Sequence, residues 1–324
     1  MIFPIILPFR RCSAWVAAAL AALALSACGG TPVSPPPPAG ISLVCPANVQ
    51  TSSLGGAAVP VNYSAPVVSG GTGQVNVTCN PATGALFPAG ATPVTCAAQD
   101  AAGRQASCTF GVNVSAVPRL AKTRFLAFGD SLTEGKLSLS LTLLIDSPAH
   151  SYPAQLLRRL TERYTGQEIT LINEGFGGEL AAESLNRLNG ALSTHRPEAM
   201  LLMHGVNDLN GTSDGLIQIT VDALEELTKA AQQRGATAFV ATLPPLGPGG
   251  KAGCPECVEP LNERIESMAA AKRAVLVDVH AAWGTGSGLM GPDGIHPTAA
   301  GYEVIAGAFF EAIRRTLEGT GSIQ

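Results

Sequence analysis

The chain has no block of lysine or arginine anywhere in its 324 residues; charged residues make up only 14% of it, and the formal net charge is −4. Without a basic stripe there is no electrostatic footprint for a nucleic acid or another polyanion, and neither is expected as a partner. The chain also lacks an apolar run of about 20 residues, the length that a membrane-spanning helix needs. The small, apolar run from Ala14 to Ala27 is roughly 14 residues long. That length suits the core of an export signal better than a span.

Arg10 and Arg11 precede that run, and it ends at Leu25-Ser26-Ala27-Cys28. This tetrapeptide resembles the bacterial lipobox, which implies cleavage before Cys28 and acylation of its thiol. Each buried CH₂ of such an anchor contributes about 0.8 kcal/mol to membrane binding. Residues 1–27 are therefore expected to be a lipoprotein signal peptide, and the mature chain is expected at the bacterial cell envelope, held to the membrane through Cys28. Residues 28–40, with Pro35 to Pro38, favour extended polyproline II and form a semi-rigid spacer. Of the 8 cysteines, Cys12 leaves with the signal and Cys28 carries lipid. The remaining Cys45, Cys79, Cys96, Cys108, Cys254 and Cys257 read as disulfides in an oxidising compartment. The first four of these allow three connectivities, among which the sequence does not choose.

From residue 41 to 117 the pattern is one of short β-type runs, Val59 to Tyr63, Gln74 to Cys79, Thr92 to Ala97 and Ser107 to Val114. Gly-rich turns and Asp100-Ala101-Ala102-Gly103 separate them, as in a small β-sandwich. Cys45-Pro46, the segment Phe87-Pro88-Ala89-Gly90-Ala91-Thr92-Pro93-Val94-Thr95-Cys96, and Cys108-Thr109-Phe110 resemble the hyalin-repeat (HYR) modules, an immunoglobulin-like family. The resemblance implies an adhesion or spacer role. It leaves a glycan or protein contact open to this module and assigns it no reaction.

Residues 122–324 alternate buried-type strands with helices. Arg124 to Phe128, Ile169 to Ile172, Ala199 to Met203, Ala236 to Leu243 and Ala274 to Val279 read as strands. Tyr152 to Tyr164, Ala181 to Leu192, Gly215 to Arg234, Val258 to Ala271 and about Thr298 to Leu317 read as helices, with Pro297 a good helix starter. Five apolar strands alternating with helices imply an α/β fold, a parallel five-stranded sheet covered on both faces. Sites in such folds lie at the carboxyl ends of the strands, so the residues following each strand carry the functional reading.

After the first strand comes Gly129-Asp130-Ser131-Leu132. It is equally a nucleophile on a tight turn and a helix-capping sequence. After the second comes Gly175-Phe176-Gly177-Gly178-Glu179, glycines able to turn backbone N–H groups into an open pocket or simply to make a turn. After the third comes Gly205-Val206-Asn207-Asp208, offering a side-chain amide donor or a plain helix cap. Near the end, Asp293 and His296 lie three residues apart between Pro292 and Pro297. That spacing lets the carboxylate orient the imidazole so that Nε2 can take a proton.

Together these segments resemble the SGNH hydrolases, the GDSL esterase/lipase superfamily, over roughly residues 122–317. The resemblance implies a flavodoxin-like three-layer fold and a serine ester hydrolase needing neither metal nor organic cofactor. It assigns the nucleophile to Ser131, the base to His296 and the orienting acid to Asp293. It assigns the oxyanion hole to the backbone of Ser131 and Gly178, with Gly177 as competitor, and to the side chain of Asn207. Many relatives have Gly-Asp where this chain has Gly178-Glu179, a departure of little expected consequence because the donor is backbone. The substrate is an ester, small or polymer-linked. An acyltransferase of the same fold and a catalytically silent surface binding protein are the alternatives. His150 and His204 read as packed or solvated. Cys254-Pro255-Glu256-Cys257 reads as a local disulfide rather than a redox or zinc motif. The leucine–serine stretch from Leu137 to Ile145 reads as an acyl-pocket wall, a lid, or an element packed on the surface.

Overall fold

The computed structural model describes residues 40–209, 214–247 and 253–319. The expected signal, Cys28 and all of the Pro-rich spacer but its last residue lie outside them.

From Ser42 to Val117 every regular element is β. A four-stranded sheet runs in the order Val49–Leu54, Gln105–Val117, Gly90–Asp100, Val75–Asn80, with the first pair parallel and the others antiparallel. Strand Gly90–Asp100 shows why it holds. Val94, Cys96, Ala98 and Asp100 point inward at every second position while their neighbours face water. Val94 joins Phe110, Val112 and Val114 in a core closed on its other side by Val61 and Phe87. Asp100 is buried at the end of its strand and accepts the amides of Thr72, Ala102 and Arg104, so its carboxylate organises the turn that follows. Cys96 sits across from both Cys79 and Cys108 in the ladder. It bonds to Cys79, and Cys108 bonds to Cys45. Two of the three cysteines that could pair with Cys96 are its neighbours in the ladder, so the pairing depends on strand register, which the spacing does not contain.

Leu120 leads into the second region, where Arg119–Leu120 pairs with Glu318–Gly319 and Leu120 is buried in the main core. Five parallel strands follow: β1 (Arg124–Gly129), β2 (Thr170–Gly175), β3 (Ala199–Met203), β4 (Thr237–Ala241) and β5 (Val275–Val277). Their order is β2-β1-β3-β4-β5, so the chain reverses direction across the sheet beside β1 and opens a crevice at the carboxyl ends of β1 and β3. The helices are α1 (Ser131–Glu134), α2 (Tyr152–Arg163), α3 (Leu185–His195), α4 (Asp214–Gln233), α5 (Val258–Ala271), α6 (Val279–Trp283) and α7 (Ala299–Leu317). Helices α2, α6 and α7 pack together on one face, with the Tyr152 and Phe309 rings stacked 4.9 Å apart, while α3, α4 and α5 pack on the other.

Several expectations are refined. β3 is buried throughout, but β2 is an edge strand that leaves Ile172 exposed and extends to Gly175. The helix expected from Ala181 is a single 3₁₀ turn, Ala181–Glu183, before α3 begins. There the Ser184 hydroxyl donates back to the Ala181 carbonyl, holding the turn tight. Pro297 does not open the last helix. It bridges to Met290, and Thr298 caps α7 by accepting the Gly301 amide. The Leu137 to Ile145 stretch is an antiparallel hairpin, Lys136–Ser138 with Leu144–Asp146. Its tip carries Leu139, Leu141 and Leu143 into solvent. Cys254 and Cys257 are bonded to each other.

Candidate active site

β1 ends at Gly129 because nothing larger fits. A β-carbon there would overlap the carbonyl oxygen of Met203 on β3. Thr133 seals the same approach by donating its hydroxyl to that carbonyl at 3.0 Å. Gly175, at the end of β2, is equally crowded by the backbone of Glu134. The two glycines let α1 settle onto the edge of the sheet. Asp130 caps α1 by accepting the Leu132 amide at 3.0 Å, so Ser131 occupies the helix's first position. The capping and the nucleophile readings of this tetrapeptide are therefore compatible.

Ser131 is 5% exposed, and its Oγ lies 2.8 Å from His296 Nε2. On the far side of the ring, Nδ1 lies 2.7 Å from Asp293 Oδ2. Asp293 Oδ1 accepts the amides of Ile295 and His296 at 3.1 and 3.0 Å. Burial pushes the Asp293 carboxyl up, but the hydrogen bonds from His296 and Ile295 outweigh it and hold the group below its ordinary value. The turn itself is clamped. Gly291 N–H donates to the His296 carbonyl at 2.8 Å, and the Asp293 amide donates to Ser138 Oγ on the leucine hairpin at 3.1 Å.

Gly178 has φ +80°, the left-handed region that glycine occupies without strain. Among the described residues, neither its N–H nor that of Ser131 has a protein acceptor. A β-carbon on Gly177 would press on the Glu134 carboxylate and stand 3.7 Å from the Ser131 β-carbon, so Gly177 lies beside the nucleophile, while a β-carbon on Gly178, the next residue, would meet open space. Asn207 Nδ2 donates to the Glu179 carbonyl at 3.0 Å, which draws the loop after β3 to the loop after β2. The structure thus brings Ser131, His296 and Asp293 into one hydrogen-bonded line, and joins the Gly178 and Asn207 loops beside it.

Behind the glycine loop lies an ionic group that is fully buried at His204 and Asp130 and half-buried at Glu179 and Arg187. Glu179 takes a paired contact from Arg187, whose Nε donates to Oε1 at 2.8 Å and whose Nη2 bonds Oε2. The Arg187 guanidinium lies 4.0 Å from the Phe128 ring centre and donates to the carbonyls of Gly129 and Glu174. His204, read as packed or solvated, is fully buried, with Nε2 3.2 Å from Glu179 Oε2 and Nδ1 3.4 Å from Asp130 Oδ2. Burial would raise the Glu179 carboxyl, yet Arg187 and His204 draw it down to about 2. Glu179 is therefore a hub that joins Arg187 and His204. No sequence spacing marks Asp130, Glu179, Arg187 and His204 as neighbours.

A family model described as the GDSL-like lipase/acylhydrolase family matches residues 127–304, and the HYR domain model matches residues 35–114. A multidomain esterase from Ruminococcus flavefaciens is 28% identical over 188 residues, which cover 55% of this chain and 24% of that protein. The chain thus spans about a quarter of that curated relative. Two crystal structures share the fold. A lipase/acylhydrolase from Enterococcus faecalis is 20% identical at a TM-score of 0.52, covering 62% of this chain and 100% of its own. An α/β hydrolase enzyme from the metagenome of Lake Arreo, Spain, is 21% identical at a TM-score of 0.50, covering 60% and 96%.

Proposed function

The chain belongs to the GDSL-like lipase/acylhydrolase family, and from that premise we propose that it hydrolyses carboxylic esters through an acyl-enzyme on Ser131. The observation that carries the reading is the line of two hydrogen bonds, 2.8 Å from Ser131 Oγ to His296 Nε2 and 2.7 Å from Nδ1 to Asp293.

Neutral His296 takes the hydroxyl proton as Oγ bonds to the ester carbonyl carbon. The carbonyl oxygen becomes an oxyanion, met by the N–H groups of Ser131 and Gly178 and by the Asn207 carboxamide. Donors already in place meet charge only as it develops, and one such donor typically contributes about 10²–10³ in turnover. His296 then gives its proton to the departing alkoxide, the C–O bond breaks, and the alcohol leaves. Water, deprotonated by the same imidazole, attacks the acyl-serine; the imidazolium then returns that proton to Ser131 Oγ as the acyl C–O bond breaks, and the acid leaves. The proton transfers use Ser131 and His296, which already lie in hydrogen-bond reach of each other.

The test is turnover of an acyl-chain-length series of esters alongside acetylated glycans, with product assigned to water or to an added alcohol. Acid released with water as acceptor supports the reading. Transfer to the alcohol alone would make the chain an acyltransferase, and inertness toward every ester would overturn the reading.

We further propose, on the sequence from Leu25 to Cys28, that acylation of Cys28 tethers the chain to the bacterial envelope. Cys28→Ala should move the protein from the membrane to the soluble fraction. Unchanged fractionation would contradict the anchor.

A further inference from the structure

The mechanism above gives His204 no task, yet no titratable side chain in this region is more deeply placed. Its neighbours mark it out. Asp130 directly precedes Ser131, Glu179 directly follows Gly178, and His204 leads into the turn that carries Asn207. The ring therefore lies between members of the three separate loops from which the oxyanion donors come. The loops after β1, β2 and β3 are joined to one sheet at their roots, but nothing in the sheet fixes how their ends approach one another. Displacing such a donor by about 1 Å costs on the order of 10² in rate.

We propose that His204, as an imidazolium bridging Asp130 and Glu179, is a positioning residue that draws the nucleophile loop and the glycine loop together and so sets the oxyanion hole. This rests on the reading of Ser131, Gly178 and Asn207 as its donors. Each carboxylate is fixed by other bonds. Asp130 Oδ1 caps α1 through Leu132, and Glu179 is gripped by Arg187. The imidazolium thus pulls on two anchored points. The Gly205 amide supplies the release. It lies 3.2 Å from Asp130 Oδ2 and 2.9 Å from His204 Nδ1. When Nδ1 carries a proton, the amide serves Asp130. When that proton leaves, Nδ1 can accept the amide itself, and the link between Asp130 and the ring is lost.

The electrostatics set the window. Burial favours the neutral ring, but the hydrogen bonds and charges of Asp130 and Glu179, with the charge of Asp208 added, outweigh it and carry the imidazole up to about 9. Arg187 acts on the ring through Glu179, and the Phe128 ring, 6.2 Å away, adds no charge. Because the folded value lies above the ordinary one of about 6.5, this stabilisation is fully present below about pH 6.5 and is lost as pH rises through about 9.

The experiment measures kcat and KM for a short-chain nitrophenyl ester from pH 5 to 10.5 on the whole chain, for the parent, Glu179→Gln and His204→Gln, with the fold followed by circular dichroism. In the parent, kcat should fall on the alkaline side with a midpoint near 9, while KM moves by less than about threefold. Glu179→Gln removes one of the two carboxylates and should move that midpoint down by about one pH unit. His204→Gln should lack the alkaline fall and turn over about 10- to 100-fold more slowly throughout. A parent kcat flat to pH 10.5, or an alkaline midpoint unmoved in Glu179→Gln, overturns the proposal without any appeal to His204→Gln and leaves the esterase reading intact. A parent whose Ser131 does not react with a fluorophosphonate overturns both.

Discussion

Replacing Ser131 with alanine should lower ester turnover by about 10⁶, the size of loss found when the nucleophile of a serine triad is removed. The substitution deletes one buried oxygen whose partner is the His296 ring. It leaves Asp130 capping α1 and leaves the Asp293 turn untouched, because neither contact involves the serine hydroxyl. Thermal stability should therefore be nearly unchanged while turnover collapses to the residue supplied by the oxyanion donors. A loss below about 100-fold would mean that another group attacks the ester.

Asp293→Asn should cost about 10⁴ in kcat with the fold intact. The two oxygens of Asp293 have separate tasks, and asparagine can keep only one. Its carbonyl can still accept the Ile295 and His296 amides, so the turn survives. At the other position an NH₂ would stand where Oδ2 accepts from His296 Nδ1. The imidazole then shifts its proton to Nε2 and points a hydrogen at the serine oxygen instead of a lone pair. Asp293→Ala should fail in a second way as well, because both turn amides lose their acceptor at about 1–3 kcal/mol each. A full-rate Asp293→Asn enzyme would remove the orienting role. Since the Asp293 carboxyl is held below its ordinary value, that role, and the stability tied to it, should persist into mildly acidic solution and fade only as pH falls through the lowered value.

What could be read from the amino acids alone follows from how local each signal is. Strands β1 and β3 are buried on both faces, so their apolar runs are continuous and their ends plain. β2 lies at the sheet's edge and mixes exposed with half-buried positions, so its apolar run ends before the strand does. Ser131 and the Asp293–His296 pair are legible because each sits in a short motif at an element boundary. Nothing local ties Asp130, Glu179 and His204 together. They meet only because β1 lies between β2 and β3, which delivers three loop ends to one place. The hairpin from Lys136 to Asp146 carries no clear local signal, for another reason. Leu139, Leu141, Leu143 and Leu144 face water, contrary to the usual meaning of an apolar residue, although Ser138 reaches in to hold the Asp293 amide. The disulfide pairing depends on strand register, which no count of cysteines contains.

The central claim is that His296 makes the Ser131 oxygen a nucleophile. It is tested most directly by treating the whole chain with a fluorophosphonate and mapping the adduct by peptide mass. One adduct is expected, on Ser131, and almost none in His296→Ala. An adduct on a different serine, or an undiminished labelling rate in His296→Ala, would contradict it.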